Sequence, residues 1–379
     1  YSWGQGPNQP YVLGAYPDAF PNKEVHWEEF VTTNIGFDLG LFRSALIINA
    51  DIYNRTNRGM LIPVDLPFSS GYYRPWSSGN TTINSGEVTN KGFEISATYN
   101  KSVSGIDFSV SGNMSYNRNN IENLYSDNAI IKGEWSQYVT EAGMPMSYYN
   151  GYVVERIYQA TAADTAEILM KAGVTDPTKY NWTSRLAPGD FKYKDINGDT
   201  LINDLDKVMI GNPWPKYVYG LNISAAYKGF DLTIFMQGVA GNDLFNRQKR
   251  YTETFTGDYS PTKAILGSWT PENPDATIPR LNYKDPNRNF SSSSSYFVES
   301  GDYFRLKNIS LGYTFPKRIV EVSRLSNLRI YFTAQNILTI TKYSGLDPEF
   351  SSGDNTQKNE DNGTYPQNKL YQLGIQVEF

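Results

Sequence analysis

The side chains best placed to do chemistry lie in one short stretch, Asp195-Ile196-Asn197-Gly198-Asp199-Thr200-Leu201-Ile202-Asn203-Asp204-Leu205-Asp206. Oxygen-bearing side chains at Asp195, Asn197, Asp199, Asn203 and Asp206, with the backbone carbonyl of Leu201 among them, match the spacing by which a calcium loop wraps a hard cation. Ile202 falls where such loops carry an apolar residue. Two positions depart from the pattern: Thr200 stands in place of glycine, and Asp206 in place of the longer glutamate that closes the shell with two oxygens. The competing reading is an Asn/Asp-rich turn, because Asn197-Gly198 is itself a turn signal. A Ca2+ ion here would stiffen a loop and implies no catalysis.

Catalytic chemistry otherwise has few starting materials. His26 is the sole histidine and cysteine is absent, which excludes multi-histidine and thiolate metal sites. A Ser-His-Asp triad would hang on that one residue, and no Gly-x-Ser-x-Gly elbow accompanies it. The acidic pairs Glu28/Glu29 and Asp204/Asp206 could suit a glycosidase, yet with 39 acidic residues such pairs arise by chance. Tyr72, Tyr73, Trp76 and Trp135 are the candidate substrate-binding residues. Like Tyr148, Tyr149, Trp182, Trp214 and Trp269, they fall between strands amid Asn, Asp and Ser, where flat aromatic faces suit sugars or peptides. The alternative for each is packing between loops or against a partner protein.

The elements that must position these residues are strands. Aromatics reach 15% and charges only 19% of 379 residues, a β-rich profile. A net charge of −5 with no basic stripe argues against nucleic-acid binding. No apolar run approaches the roughly 18 to 20 residues of a transmembrane helix, but a transmembrane strand needs only about 9 to 11 with every second one apolar. That alternation recurs in nine runs. They are Ile35 to Leu41, Ile48 to Ile52, Phe93 to Tyr99, Ile106 to Met114, Tyr219 to Tyr227, Phe230 to Met236, Ile309 to Phe315, Leu328 to Ala334 and Tyr371 to Phe379.

Short and long connections alternate between these runs. The short ones lie at Leu41–Ala45, Lys101–Gly105, Lys228–Gly229 and Pro316–Asn327, and the long ones at Asn54–Lys91, Arg118–Lys216, Val239–Asp302 and Thr341–Lys369. Tight turns at one end and long loops at the other are the plan of an outer-membrane barrel. The Arg118–Lys216 link is predicted to hold one extra hairpin, around Tyr138 and Tyr148–Tyr158, and a helix near Ala162–Ala172. Tyr53, Tyr99, Tyr116, Tyr227, Phe230, Tyr313 and Phe315 sit where interfacial girdles belong. The last run ends on Phe379, as bacterial barrels commonly do.

Several segments resemble landmarks of the SusC/RagA-type TonB-dependent outer-membrane transporters of Bacteroidetes. They are Thr33-Asn34-Ile35-Gly36-Phe37-Asp38, Val88-Thr89-Asn90-Lys91-Gly92-Phe93-Glu94, Gly189-Asp190-Phe191-Lys192-Tyr193-Lys194-Asp195, Tyr227-Lys228-Gly229-Phe230-Asp231-Leu232, Phe304-Arg305-Leu306-Lys307-Asn308-Ile309-Ser310-Leu311-Gly312-Tyr313 and Gln335-Asn336-Ile337-Leu338. The resemblance implies an all-β chain in which residues 1–379 form the C-terminal portion of an antiparallel transmembrane barrel of about 22 strands. The plug domain and N-terminal barrel strands would belong to a longer protein.

It further implies import of glycan or peptide nutrients across the bacterial outer membrane, without enzymatic activity. The partners would be outer-membrane lipid, a SusD-like surface lipoprotein, and TonB-ExbB-ExbD engaged through the N-terminal region. Two alternatives stand beside it: a soluble all-β protein that binds or cleaves extracellular glycans, and a passive porin.

Overall fold

A computed structural model describes residues 21–65, 80–133, 137–255, 259–320, 325–350 and 358–379, together with 2–3, 12–13 and 69. Its centre is a sheet of nine strands. These are β1 (Glu29–Leu41), β2 (Leu46–Arg58), β3 (Glu87–Val103), β4 (Ile106–Asn123), β5 (Tyr217–Tyr227), β6 (Phe230–Ala240), β7 (Tyr303–Thr314), β8 (Asn327–Thr341) and β9 (Leu370–Glu378). Each pairs antiparallel with the next in chain order, so the nine alternating runs form one uninterrupted meander. Among the described residues, neither outer edge, β1 nor β9, has a strand partner in this sheet.

The connections alternate as the sequence predicts: 42–45, 104–105, 228–229 and 315–326 at one end, and 59–86, 124–216, 241–302 and 342–369 at the other. Both two-residue turns hold positive φ throughout, at Ser104 (52°) and Gly105 (81°) and at Lys228 (47°) and Gly229 (89°). That geometry matches the right-handed twist of a hairpin. At the long-loop end the strands outrun the alternation. The β2–β3 ladder continues through Asn54↔Lys91, Thr56↔Thr89 and Arg58↔Glu87, where both faces are polar and period two has nothing to mark.

Residues directly opposite on paired strands share a face. Ile223, Ile234, Ile309, Ala334 and Tyr371 therefore line up on one side, and Ser224, Thr233, Ser310 and Asp231 fall on the other. The apolar side is bare: Leu373 is 75% and Ile375 66% exposed. An apolar face spread over nine strands fits hydrocarbon as its neighbour. Aromatics bound it, with Phe230 against Tyr313 (4.5 Å) and Tyr313 against Phe315 (5.0 Å) near the tight turns. Phe93, Tyr116 and Tyr217 stack near the long loops, at 5.6 and 5.1 Å. From Tyr227 to Tyr217 the strand climbs about 33 Å, and a tilt of about 40° reduces this to a band about 25 Å tall.

One girdle assignment is wrong. Tyr53 lies on the polar side with Asn49 and Asp51, where the alternation along the strand against Ile48, Ala50 and Ile52 already sets it, and its ring rests on Gly92. A Cβ at Gly92 would collide with that ring and with the Tyr116 carbonyl.

With one face for lipid and the other polar, the sheet buries little itself, and the apolar clusters lie in the long connections. Tyr138, Tyr149, Phe245, Ile278, Phe290 and Phe297 form one such cluster, contributed by the 124–216 and 241–302 connections. The predicted hairpin exists as Tyr138–Glu141 and Tyr148–Gly151, but it joins Ile130–Lys132 and Val208–Gly211 in a separate four-stranded sheet and adds nothing to the meander. The predicted helix, α1 (Ala162–Lys171), is capped by Thr161, whose side chain accepts the Asp164 N–H.

Loop and sheet are joined at a bulge. The β7 register slips at Lys307 against both β6 and β8, and Asn336 opposite it takes φ 52°. The extra residue lets Arg305 and Lys307 aim together at acids of the 342–369 connection. Arg305 is buried, donating to Glu349 (2.6 Å) and Asp347 (2.5 Å), and Lys307 reaches Glu349 at 2.8 Å.

Ile223→Arg, at mid-height of the apolar band, should cost about 2–4 kcal/mol of stability in bilayers. Heat-modifiable gel migration of the full-length protein would show the loss, with Ser224→Lys on the opposite face tolerated. Arg305→Met leaves Asp347 without a cation among the described residues, while Glu349 keeps Lys307, and should destabilise the loop layer by about 3 kcal/mol, read as early protease cleavage within 342–369.

Candidate functional site

Above the polar face of β1–β4 lies a cavity of about 690 Å³. Strand alternation supplies its wall: Phe30 and Thr32 from β1, Tyr53, Arg55 and Asn57 from β2, Val88, Asn90 and Glu94 from β3, and Asn117 and Asn119 from β4. The roof comes from the long connections, through Met60, Leu61, Ile62, Ile131, Met146 and Trp214.

A ladder of amides sets the wall. The Tyr53 hydroxyl donates to Asn117 Oδ1 (3.0 Å), and Asn117 and Asn119 both donate to Asn90 Oδ1 (3.2 and 3.1 Å). Asn119 Oδ1 accepts the Met146 N–H at 2.8 Å, and Trp214 Nε1 donates to the Met146 carbonyl at 2.6 Å, which ties roof to wall. Glu28 closes one side, accepting from Leu61 N–H (2.9 Å) and Asn57 Nδ2 (2.8 Å). The Arg55 guanidinium lies 5.0 Å from the centre of the Phe30 ring and forms no ion pair among the described residues. Fixed amides beneath an aliphatic roof can orient a bound molecule. Among the described residues, neither serine nor histidine lines the cavity.

Two buried carboxylates hold the loop layer above. Asp190 accepts from Arg280 through both oxygens (2.8 and 2.9 Å), from Asn289 Nδ2 (2.9 Å) and from the Ala187 N–H (2.8 Å). Burial pushes its pKa up, and the Arg280 contacts oppose that shift. Glu360 accepts from Tyr138 Oη (2.6 Å), Gln137 (2.7 Å) and Arg247 (2.5 Å). Desolvation raises the Tyr138 phenol far above its ordinary range, and the Glu360 charge adds to this, so it remains a donor.

The residues expected to bind substrate, Tyr72, Tyr73, Trp76 and Trp135, lie outside the described residues. Of the other aromatics named with them, Trp214 lines the cavity. Tyr149 is buried with its hydroxyl on loop carbonyls, and Trp269 packs on Gly189 and donates to Gln159. His26 is exposed, its Nδ1 3.0 Å from the Trp27 carbonyl. Glu28 serves the cavity rim, while Asp204 pairs with Lys207 at 2.8 Å.

Asp195, Asn197, Asp199, Leu201, Asn203 and Asp206 lie along one wound loop, the Asp and Asn side chains turned to its backbone N–H groups. Asp195 accepts from Gly198 and Thr200 N–H, Asn197 from Asp199, Asp199 from Leu201, and Asn203 from Leu205. Asp206 folds back to accept from Ile196 (2.9 Å) and Asn203 (2.8 Å). Among the described residues no group of three acidic or histidine side chains converges as a metal cluster. The cavity residues Tyr53, Arg55, Asn90, Asn117 and Asn119 went unpredicted. Their signal was the run of polar residues where β2–β4 outlast the apolar alternation.

No family model matches the chain. It is 29% identical to TonB-dependent receptor P3 of Formosa agariphila, over 97% of this chain and 36% of that protein. It is 26% identical to TonB-dependent receptor SusC of Bacteroides thetaiotaomicron, over 97% and 34%. The chain thus spans about a third of the length of the curated relatives it matches. Its fold superposes on the RagAB peptide transporter with a TM-score of 0.75 at 23% identity, covering 94% of this chain and 36% of that one. In sequence and in fold, the resemblance to SusC/RagA-type TonB-dependent outer-membrane transporters therefore holds along nearly the whole chain.

Proposed function

We propose that this chain forms the C-terminal wall of a barrel that imports oligosaccharide or peptide nutrients across the outer membrane. A SusD-like lipoprotein would cap it, and TonB-ExbB-ExbD would energise it through the N-terminal region of the longer protein. The observation that carries the proposal is the pairing of a lipid-type apolar face with a polar, cavity-bearing face beneath a packed loop layer. The names of its relatives support it, two of them TonB-dependent receptors and one a peptide transporter. The remaining strands and a plug would come from the same longer protein, because an unpaired strand edge costs several kcal/mol per backbone group in hydrocarbon. Its role is transport, and the nutrient leaves chemically unchanged. Uptake of labelled nutrient by cells carrying the full-length protein should vanish when tonB is deleted. Persistent uptake would identify a passive pore, and a cleaved product from purified protein would identify an enzyme.

For the Asp195–Asp206 loop we propose a stiffening Ca2+ ion. Thr200, in the place of the usual glycine, adopts the φ of 70° that a glycine would take there, and the Asp206 carboxyl returns to meet that of Asp195. Chelation should raise protease sensitivity within 195–206, and unchanged cleavage would sink the assignment. The N–H of Asn203, followed by that of Ile196, holds the Asp206 carboxyl below the usual carboxylate range. A depressed carboxyl stabilises the folded loop while ionised, in full above its unfolded value of about 3.9. That contribution fades as pH falls through the folded value, so loosening of the loop should set in only below about pH 4.

A further inference from the structure

Arg55 stands exposed at the cavity over β1–β4 and forms no ion pair among the described residues. Glu28, the nearest acid by sequence on the same rim, is already committed through both oxygens to Asn57 and the Leu61 N–H. Glu94 stands four residues down β3 from Asn90, the register partner of Arg55, which is about 13 Å along the strands. Phe30 supports the guanidinium from one side. A planar cation braced on a ring, with its donors free, is built to take a carboxylate through two parallel hydrogen bonds.

The rest of the cavity describes the body attached to that carboxylate. Met60, Ile62, Val88, Ile131 and Met146 line one side with aliphatic groups, beside the aromatics Phe30, which carries the Arg55 guanidinium, Tyr53, whose ring rests on Gly92, and Trp214. Asn90 and Asn117 offer amide groups of the kind that pair with peptide backbone. A volume of about 690 Å³ holds a few residues. We propose that this cavity binds a carboxylate-bearing ligand with an apolar body, the C-terminal end of an oligopeptide, with Arg55 as the anchor of its carboxylate. The proposal rests on the import reading and narrows its substrate class.

The test uses the full-length protein in detergent and measures binding of an apolar pentapeptide with a free C-terminus, the same peptide amidated, an oligogalacturonide and a neutral maltooligosaccharide. The free peptide should bind wild type about 10- to 100-fold more tightly than the amidated one, the range of a charge-assisted contact. Arg55→Gln should erase that difference while leaving heat-modifiable migration intact. Asn90→Asp, which sets a carboxylate opposite Arg55 and keeps the acceptor that Asn117 and Asn119 use, should weaken the free peptide by a similar factor.

A preference for the oligogalacturonide that Arg55→Gln abolishes would keep the carboxylate anchor and overturn the peptide body. Equal binding of free and amidated peptide to wild type, or an unchanged preference in Arg55→Gln, would overturn the anchor. Uptake is scored separately: if it proves independent of TonB while Arg55→Gln still weakens binding, the import reading fails and the site stands.

Discussion

A peptide group in hydrocarbon has no water to bond, and the main sheet is organised around that constraint. The seven strands between β1 and β9 each have neighbours on both sides, and the registers run almost unbroken from the tight turns to the long loops. Pairing at this density fixes the side chains as well. With a period of two, each residue is committed to lipid or to lumen by its place in the ladder, and a slip of one residue would exchange the faces.

The exceptions to that ladder show how the sheet connects to what lies above it. At Lys307 and Asn336 the register is broken, and the break turns two successive cations, Arg305 and Lys307, toward Asp347 and Glu349. Gly92 and Gly312 serve a related end within the ladder. The first leaves room for the Tyr53 ring, and the second for the Arg329–Asp231 ion pair to cross β7 between β6 and β8. These departures sit in segments that carry the resemblance to the transporter family. The sequence landmarks are therefore places where the backbone yields to a particular side chain.

The loop layer follows from the same division of faces. Since the membrane takes the apolar side of the sheet, aromatics that need a protein core collect in the connections, where Tyr138, Tyr149, Phe245 and Phe297 pack and Asp190 and Glu360 gather segments distant in sequence. The cavity is the seam between these two regions, with strand amides below and loop aliphatics above, and the bonds of Asn119 and Trp214 to Met146 hold them in contact. Its chemistry is mixed because its wall is the polar face of the sheet and its roof the apolar underside of the loop layer.

By itself the sequence determined the nine strands, their order, the alternation of short and long connections, α1 and the lipid-facing residues, because period two and turn chemistry are local properties. It pointed to the wound loop at Asp195–Asp206 for the same reason, since that spacing is contiguous. Tertiary structure alone decided that the Tyr138–Gly151 hairpin leaves the barrel sheet and that Trp269 and Tyr149 are packing residues. It also decided that Arg55, Asn90 and Asn117, from three strands, meet under Met60 and Met146. Such a meeting depends on register between strands separated by loops of many residues. Register is set by backbone pairing across space, which no local pattern records.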